Sequence, residues 1–213
     1  MYKLSVGIHS GGNSVIREKY FEITPGKLEW EIAKEKQELA DFPEADKITS
    51  DDEAKNFKNQ ILYIASRDEL KQYDKLPLAG KNGFAKAFWK RRDPTPETVI
   101  NEFKIEHYKR FRYANEAYSS FKEAEDSNKN GWRSDRGRVY IVYGAPSDKE
   151  NNPSSLEAKP WTQWNYDNVE GGVYFIFIDE TGYGNYRLVH STAQGEPKDY
   201  YWENRLMPSS LSK

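Results

Sequence analysis

The chain has no cysteine, only three histidines and no long apolar run. Without cysteine it forms no disulfide, no thiolate metal site and no cysteine nucleophile. His9, His107 and His190 are scattered, whereas metal ligands are usually clustered at short spacing. The longest apolar runs, residues 139–143 and 173–178, are far too short to cross a bilayer. We therefore expect no metal, no cofactor and no membrane-spanning segment.

Neither sign of charge is in excess, because 32 Lys and Arg residues stand against 34 Asp and Glu residues, for a formal net charge of -2. This balance argues against a nucleic-acid-binding protein and against an acidic tail protein. The segment Gly182-Tyr183-Gly184 lacks the later glycine and the lysine of nucleotide-binding loops. The first residues alternate between apolar and polar, unlike the apolar block of a signal peptide. We expect no nucleic-acid partner and no signal peptide in this chain.

Aromatic residues are abundant, with 15 Tyr, 10 Phe and 6 Trp. Each ring buries a large apolar surface, and the polar tips of Tyr and Trp reach hydrogen-bond partners. We therefore expect an ordered globular protein whose core depends on Tyr and Trp. A small sheet cannot easily bury every ring, so some aromatic side chains should remain available for contacts.

The N-terminal residues predict a β-hairpin within residues 1–26. Tyr2, Leu4, Val6 and Ile8 share one face of an extended segment, and a glycine turn leads into a second strand from Val15. A lone hairpin is marginal in water. We interpret it as the end of a truncated upstream β-domain, with packing on the following helices as the alternative.

Helical patterns fill residues 28–125. A short amphipathic helix is predicted for residues 28–40, and capping boxes at Ser50 and Ser66 predict the next two helices. A long helix should begin at Pro96, with Thr95 as its cap, and continue to about Ala124. Its apolar stripe, which we expect to pack on the following sheet, is formed by Ile100, Phe103, His107, Phe111, Ala114, Tyr118 and Phe121.

A change to short strands follows at residue 138. Residues 139–143, 161–166, 173–179 and 185–190 predict four strands, of which the last three form a meander. Residues 144–159 predict a long surface connection between the first two strands. The fold class is therefore α+β: a hairpin, helices at 28–125, a small antiparallel sheet within 138–191, and a tail at 207–213.

Several motifs occur together, in order, between residues 61 and 190. The most specific is the stretch Gly131-Trp132-Arg133-Ser134-Asp135-Arg136-Gly137-Arg138. It is preceded by Phe88-Trp89, Arg92-Asp93-Pro94-Thr95-Pro96, Asn101-Glu102 and Arg112-Tyr113-Ala114-Asn115, and followed by Gly144-Ala145-Pro146. This combination resembles the GWxTD domain family of bacterial proteins, with Ser134 where the family has threonine.

The resemblance implies a GWxTD-like α+β domain over residues 27–206. The resemblance also implies where the full-length protein is located, but it implies no reaction and no ligand. Such domains often follow a β-rich region in exported proteins of the Bacteroidetes and their relatives, and the family has no established activity. The motif residues that the resemblance marks as structural are Trp89, Arg92, Asp93, Gly131, Trp132, Asp135, Arg136 and Gly137.

The Gly131 to Arg138 stretch has two interpretations. In the first it is a structural corner, where glycine permits a sharp exit from the long helix and Asp135 pairs with Arg136, Arg138 or backbone amides. In the second, Arg133, Arg136 and Arg138 form an anion site with the amides of the turn. We favour the corner, because charged groups at such places are more often structural than functional.

Two enzyme-like arrangements are weaker alternatives. A hydrolase-like site would use Glu102 as a general base together with Asp135, Arg136 and a neighbouring arginine. A triad of Ser134, His190 and Asp135 lacks any nucleophile-elbow pattern. A buried network linking Asp135 and Arg136 to the long helix would favour a structural role.

A contact surface is predicted at residues 144–159 and the rings that follow, because rigid rings beside an adaptable loop make good anchors. The candidate binding residues are Trp161, Trp164, Tyr166 and Arg133. The function that we expect is a non-enzymatic binding or assembly module of a larger exported envelope protein, with a protein partner. The alternatives are the hydrolase and a glycan-binding module that uses the C-terminal aromatics.

Overall fold

A computed structural model gives the backbone of residues 2–10 and 13–21 and describes residues 47–98, 100–119, 130–153 and 158–207, with no side chain described for Val99 or the hairpin. The chain forms two compact units, Met1–Pro43 and Glu44–Lys213. In the first unit, strands β1 (Tyr2–Ser10) and β2 (Asn13–Phe21) pair antiparallel, which confirms the hairpin. The helix predicted for residues 28–40 lies outside the described residues.

Three short helices open the second unit: α1 (Asp51–Ile61), α2 (Arg67–Lys75) and α3 (Leu78–Lys90). Both predicted capping boxes are confirmed. The hydroxyls of Ser50 and Ser66 accept hydrogen bonds from the amides of Glu53 and Glu69, and each glutamate accepts one in return from the cap amide. These helices meet around an aromatic core of fully or nearly fully buried rings: Phe57, Tyr73, Phe84, Phe88 and Trp89.

The long helix begins later than the sequence predicts. Helix α4 spans Glu102–Ala117, and its N-cap is Asn101, whose side chain accepts the amide of Lys104 at 2.8 Å. The start at Pro96 with Thr95 as cap is therefore wrong, because an asparagine nearer the apolar pattern provides the cap. The turns predicted for residues 120–124 lie outside the described residues.

The buried side of α4 is wider than one stripe. Four of the predicted stripe positions are buried: Ile100, His107, Ala114 and Tyr118. Phe111 is half-buried and Phe103 is 38% exposed, so the prediction for Phe103 is wrong. Ile105 and Tyr108, which the stripe omits, are buried. The helix packs on two partners: Tyr108 contacts Trp89 of α3, while Tyr118, just after the helix, contacts the sheet.

The strand predicted at residues 139–143 is wrong, because Asp135–Tyr143 forms helix α5. Its apolar β-branched run is ambiguous, since a short buried helix and a buried strand give the same pattern. Ser134 decides the outcome by capping the helix: its hydroxyl accepts the amide of Gly137 at 3.0 Å. At the other end Gly144 has a φ of 85°, a conformation that favours glycine and ends the helix.

The sheet contains four antiparallel strands in sequential order: β3 (Asp148–Asn152), β4 (Trp161–Tyr166), β5 (Val173–Asp179) and β6 (Tyr186–Ser191). The predicted meander of the last three strands is confirmed. Strand β3 was missed, because its sequence is almost entirely polar and shows no apolar alternation. It lies inside the predicted loop at residues 144–159, of which residues 154–157 are outside the described part.

Both faces of the sheet are covered. On one face Trp164, Phe175 and Phe177 form a core with Tyr118 and with Val139 of α5. On the other face a second cluster forms around the strand residues Ile176, Ile178 and Val189, with Trp202 and Leu206 of a C-terminal 3-10 helix, Trp202–Leu206, packed against it. This double cover explains why β5 is buried nearly throughout. The α+β class is confirmed, and no helix in the described residues is long and apolar enough to cross a membrane.

His107 of α4 is a buried, neutral side chain. It is 3% exposed, and its Nε2 donates a hydrogen bond to the carbonyl oxygen of Gln60 at 2.8 Å. Burial lowers the pKa of His107 to about 4 from an ordinary value of 6.5. Neither nitrogen is available as a surface ligand, so His107 is a packed core histidine whose Nε2 has a hydrogen-bond partner.

The depressed pKa of His107 predicts a loss of stability in mild acid. In the unfolded chain His107 binds a proton below about pH 6.5, whereas in the folded chain it binds one only below about pH 4. The free energy of unfolding should therefore fall by about 3 kcal/mol as the pH is lowered from 6.5 to 4. His107→Gln keeps an N–H donor for Gln60 but does not titrate. Urea unfolding of both proteins at several pH values measures the difference, and parallel pH profiles would contradict the prediction.

Candidate functional site

Gly131 allows the chain after α4 to return against the end of that helix. A Cβ placed on Gly131 would lie 2.6 Å from the amide nitrogen of Ser119 and 2.7 Å from the carbonyl oxygen of Asn115, and closer still to the oxygen of Ala114. All three are backbone atoms, which cannot move aside as a flexible side chain does. The contact therefore requires glycine, and it fixes the 3-10 helix Gly131–Arg133 against α4.

Ser134 and Gly137 form the step from this 3-10 helix into α5. The hydroxyl of Ser134 donates to the carbonyl oxygen of Gly131 at 2.7 Å while it accepts the amide of Gly137. A Cβ on Gly137 would lie 2.9 Å from the carbonyl carbon of Gly131 and still nearer its oxygen, so glycine is needed here too. The threonine that the family has at this position would supply the same hydroxyl, so Ser134 can make both hydrogen bonds in its place.

Trp132 joins the helical region to the sheet core. The side chain is 6% exposed, and its ring lies 6.1 Å from Tyr63 and 5.4 Å from Phe111. It belongs to the same cluster as Trp164 of β4. Trp132 therefore anchors the stretch in the core.

Asp135 connects the start of α5 to the edge of strand β6. Its Oδ2 accepts a hydrogen bond from the backbone amide of Leu188 at 2.8 Å, and the Nε of Arg187 lies 3.4 Å away. Asp135 therefore bonds a strand amide and an arginine, as the structural interpretation predicts, but the arginine is neither Arg136 nor Arg138. Its carboxylate satisfies an N–H at the free edge of β6, which stops another strand from pairing there.

Asp135→Asn should lower the free energy of unfolding by about 1 kcal/mol, since the amide oxygen still accepts the Leu188 N–H but the charge is lost. Asp135→Ala leaves that N–H without a partner and should cost about 2 kcal/mol. Chemical denaturation measures both. Equal stability of the three proteins would mean that this hydrogen bond contributes nothing to the junction.

Arg136 is an internal packing residue. Its guanidinium lies 4.0 Å from the ring of Tyr186 and 5.2 Å from the ring of Tyr118, and it donates to the carbonyl oxygen of Gly184 at 3.2 Å. Its Nε is buried without a hydrogen-bond partner in the described residues. The side chain therefore ties α5 to the connection between β5 and β6, and the proposed pairing with Asp135 is wrong.

Arg138 makes a bidentate ion pair with Glu196. The two nitrogen–oxygen distances are 2.8 and 2.6 Å, and the Tyr143 hydroxyl donates to the same carboxylate at 3.1 Å. Burial alone would raise the pKa of Glu196, but the bonds from Arg138 and Tyr143 outweigh it and hold that pKa below its ordinary value. The pair fastens the segment after β6 onto α5.

One junction of α4, α5 and β6 thus holds the chemical groups of the stretch, except for Arg133, which is exposed. A family model for the GWxTD domain matches residues 31–202. The chain belongs to the GWxTD domain family. Comparisons with curated proteins and with solved structures gave no match. The family match extends beyond residues 61–190, the part in which the individual motifs are recognisable.

The other motif residues of the GWxTD domain are internal contacts as well. Arg92 donates to both carboxylate oxygens of Glu69, at 3.0 and 2.7 Å, and to the carbonyl oxygen of Ile64. The hydrogen bond from Arg92 lowers the pKa of Glu69 to about 2. Asp93 accepts the amide of Thr95 at 3.1 Å. The bonds from Arg92 to Glu69 hold the end of α3 against α2, and the Asp93 bond is local. Neither set of bonds reaches Asp135 or Arg136.

Glu102 and Asp135 are far apart. Glu102 starts α4 and accepts a short hydrogen bond from the Thr95 hydroxyl, whereas the Gly131 turn that leads to Asp135 touches Ala114. At a rise of 1.5 Å per residue, Glu102 and Ala114 are about 18 Å apart along the axis of α4. The described residues also contain no group of three His, Asp or Glu side chains that could hold a metal ion.

The predicted aromatic contact surface is not a single surface. Trp164 and Tyr166 are 2% and 3% exposed and belong to the core, because they face the helices. Trp161 is half-buried on the opposite face, where its ring lies 5.3 Å from Trp202. Trp164 and Tyr166 are therefore corrected from contact residues to core residues. Arg133, in contrast, is exposed.

The most exposed ring near the motif was not predicted. Tyr183 is 77% exposed, in the connection between β5 and β6. Asp179, which is 2% exposed, organises this connection: its carboxylate accepts the amides of Thr181, Gly182 and Gly184 and the Thr181 hydroxyl. The sequence signal was an aspartate followed by two glycines. The loop is thus held by a buried carboxylate and displays an aromatic ring.

Proposed function

We propose that this GWxTD domain is a non-enzymatic binding or assembly module of a larger exported bacterial envelope protein. The observation that carries the proposal is the internal use of the charged motif residues. Asp135 bonds Leu188, Arg138 bonds Glu196, and Arg136 is packed between rings. Charges that hold the fold together in this way are not poised for turnover.

The separation of the acidic candidates favours the module over the hydrolase. A general acid or base has to lie within hydrogen-bond reach of the reacting group, directly or through one water. Glu102 and Asp135, at opposite ends of the α4 contact, cannot serve one small substrate together. The remaining partner of that hypothesis, Arg136, is held by Tyr118 and Tyr186.

Exposed tyrosines favour a macromolecular partner. Tyr183, Tyr200 and Tyr201 are 77%, 74% and 77% exposed. Such rings are enriched at protein contacts, because they bring a large rigid area and a hydroxyl at a small entropic cost. The glycan alternative would use the C-terminal aromatics. Trp164 and Tyr166 of this group are in the core, and its most exposed rings are tyrosines, which are typical of protein contacts, so a protein partner is the better supported choice. The proposal that the full-length protein is exported rests on the resemblance of the sequence to GWxTD domain proteins.

The proposal is tested on the full-length protein in its host. We expect a tagged copy to fractionate with the cell envelope and to co-purify with one protein at a constant ratio. A variant with Tyr183, Tyr200 and Tyr201 changed to serine should lose that protein and keep its melting temperature, because all three rings are exposed. Phe57→Ala, in the buried core, is the control for loss of folding.

Two results would contradict the proposal. The first is a cytoplasmic location without a constant partner. The second is a hydrolytic activity of the purified protein that is lost in Glu102→Gln although the stability of that variant is unchanged. This result would favour the hydrolase hypothesis.

A further inference from the structure

A small hollow lies beside the GWxTD motif. It has a volume of about 180 Å³. Asn130, Arg133 and Asp135 line one side, and Asn185 and Arg187 line the other. The first group belongs to the turn into α5 and the second to the start of β6, so the junction described above fixes both walls.

The hollow carries an excess of positive charge. Arg133 has no carboxylate partner among the described residues, and its guanidinium lies 4.8 Å from the ring of Trp132, a buried support. Arg187 is 66% exposed and lies 3.4 Å from Asp135. Asp135 shares its charge between Arg187 and the Leu188 amide. Two arginines therefore line the hollow together with one carboxylate, which already accepts the Leu188 amide.

The hydrogen-bond donors that line the hollow match a carboxylate, and the volume of the hollow fits the end of one side chain. A guanidinium presents its N–H groups in a planar fork that fits a carboxylate, and the amides of Asn130 and Asn185 add further donors. Sites for cofactors and other small molecules usually enclose about 300–1,000 Å³. At about 180 Å³ this hollow is too small for such a ligand but large enough for the end of one acidic side chain.

The neighbouring loop provides a second point of attachment. Tyr183 directly precedes Gly184, which also lines the hollow. The four hydrogen bonds to Asp179 fix the loop before any partner arrives, so little entropy is lost when the ring is covered. A rigid ring beside a charged hollow suits a segment with an acidic residue next to an apolar one.

We propose that this hollow, the Arg133–Arg187 site, receives the carboxylate of a glutamate or aspartate side chain from a protein partner, with Tyr183 contacting the residues beside it. The inference rests on the proposed function, since it names the chemistry of the partner that a binding module would hold. It replaces the predicted anion site at Arg133, Arg136 and Arg138, of which Arg136 and Arg138 are internal.

The probe is a short Gly-Ser peptide that contains one Glu-Leu pair, compared with the same peptide containing Gln-Leu. Nuclear magnetic resonance titration of the whole 213-residue chain measures both affinities. The Glu peptide should bind about tenfold more tightly, because a charge-assisted bond contributes about 1.5 kcal/mol or more. The preference should shrink as salt is added, and the Arg133 and Arg187 Nε–H signals should shift.

Four variants separate recognition from folding. Arg133→Gln and Arg187→Gln should each remove most of the preference for the Glu peptide. Asp135→Asn should strengthen binding of that peptide, because it removes the competing carboxylate, whereas simple damage to the site would weaken it. Arg67→Gln, an exposed arginine on α2, is the matched control and should change nothing. Melting temperatures confirm that each variant is folded.

Equal affinity for the Glu and Gln peptides would overturn the inference. So would binding that appears only after Glu123, Glu125 and Asp126 are neutralised, since the chain itself would then supply the acidic group. If the full-length protein keeps its envelope partner while Arg133→Gln and Arg187→Gln change nothing, the inference fails and the proposed function stands. If the peptide binds but no envelope partner exists, the proposed function fails instead.

Discussion

Gly131→Ala is expected to lower the free energy of unfolding by about 3 kcal/mol or more, although it adds a single methyl group. The new Cβ would meet three backbone atoms at the end of α4, two of them at 2.6 and 2.7 Å and the third closer. Relief of these clashes requires the 3-10 helix Gly131–Arg133 to move away from α4. That movement would carry Trp132, the ring that joins the helices to the sheet, out of its packed position.

Gly83→Ala is the matched control for this substitution. Gly83 lies in helix α3, and a Cβ placed there would have no atom within 4 Å. Replacing a helical glycine by alanine in open space should raise the free energy of unfolding by about 0.8 to 1 kcal/mol. Urea unfolding of both variants gives changes of opposite sign. If Gly131→Ala lost less than about 1 kcal/mol, the close approach of the turn to α4 would not be needed for stability.

Much of the fold could be predicted from local patterns. The capping boxes at Ser50 and Ser66 are read directly from the spacing of serine and glutamate, because both partners lie within one turn. Strand β1 of the hairpin shows the apolar and polar alternation of a half-buried strand, whereas β5 of the meander is the continuous apolar run of a strand that is buried on both faces. In each case the information that selects the element is contained in the element itself.

Helix α5 could not be predicted in this way. Its residues 139–143 have high strand propensity, and their apolar pattern alone does not distinguish a short buried helix from a buried strand. A local signal did exist, since Ser134 followed by Asp135 is a good helix start and Gly144 a good helix end. Strand β3 is the opposite case: its sequence is polar, and pairing with β4 alone makes it a strand.

The site shows the same division. That glycine, serine and aspartate form a structural corner could be inferred from residue type. Which partner each one has could not, because Leu188 and Glu196 are more than fifty residues away from Asp135 and Arg138. The separation of Trp161 from Trp164 does follow from the sequence. Successive side chains of a strand alternate between its two faces, so residues three positions apart lie on opposite faces.

Trp164→Ala should lower the free energy of unfolding by about 3 to 5 kcal/mol, as expected for loss of a large core side chain. Trp164 is 2% exposed, and its ring lies 4.9 Å from Phe177 and 5.4 Å from Tyr118. Lys149 of β3 covers it from the edge, with its Nζ 4.7 Å from the ring. The cavity would open between α4, α5 and the sheet, where the surrounding rings are too large to fill it.

Trp161→Ala is the matched control, because it removes the same side chain from the same strand on the other face. Trp161 is half-buried and contacts Trp202, so the expected loss is about half as large. Denaturant titration of the two variants compares them directly. A Trp164→Ala protein that unfolded like the wild type but no longer recovered an envelope partner would reinstate Trp164 as a contact residue. A loss of about 3 kcal/mol or more would instead confirm that Trp164 acts as a core residue, with its ring packed between the helices and the sheet.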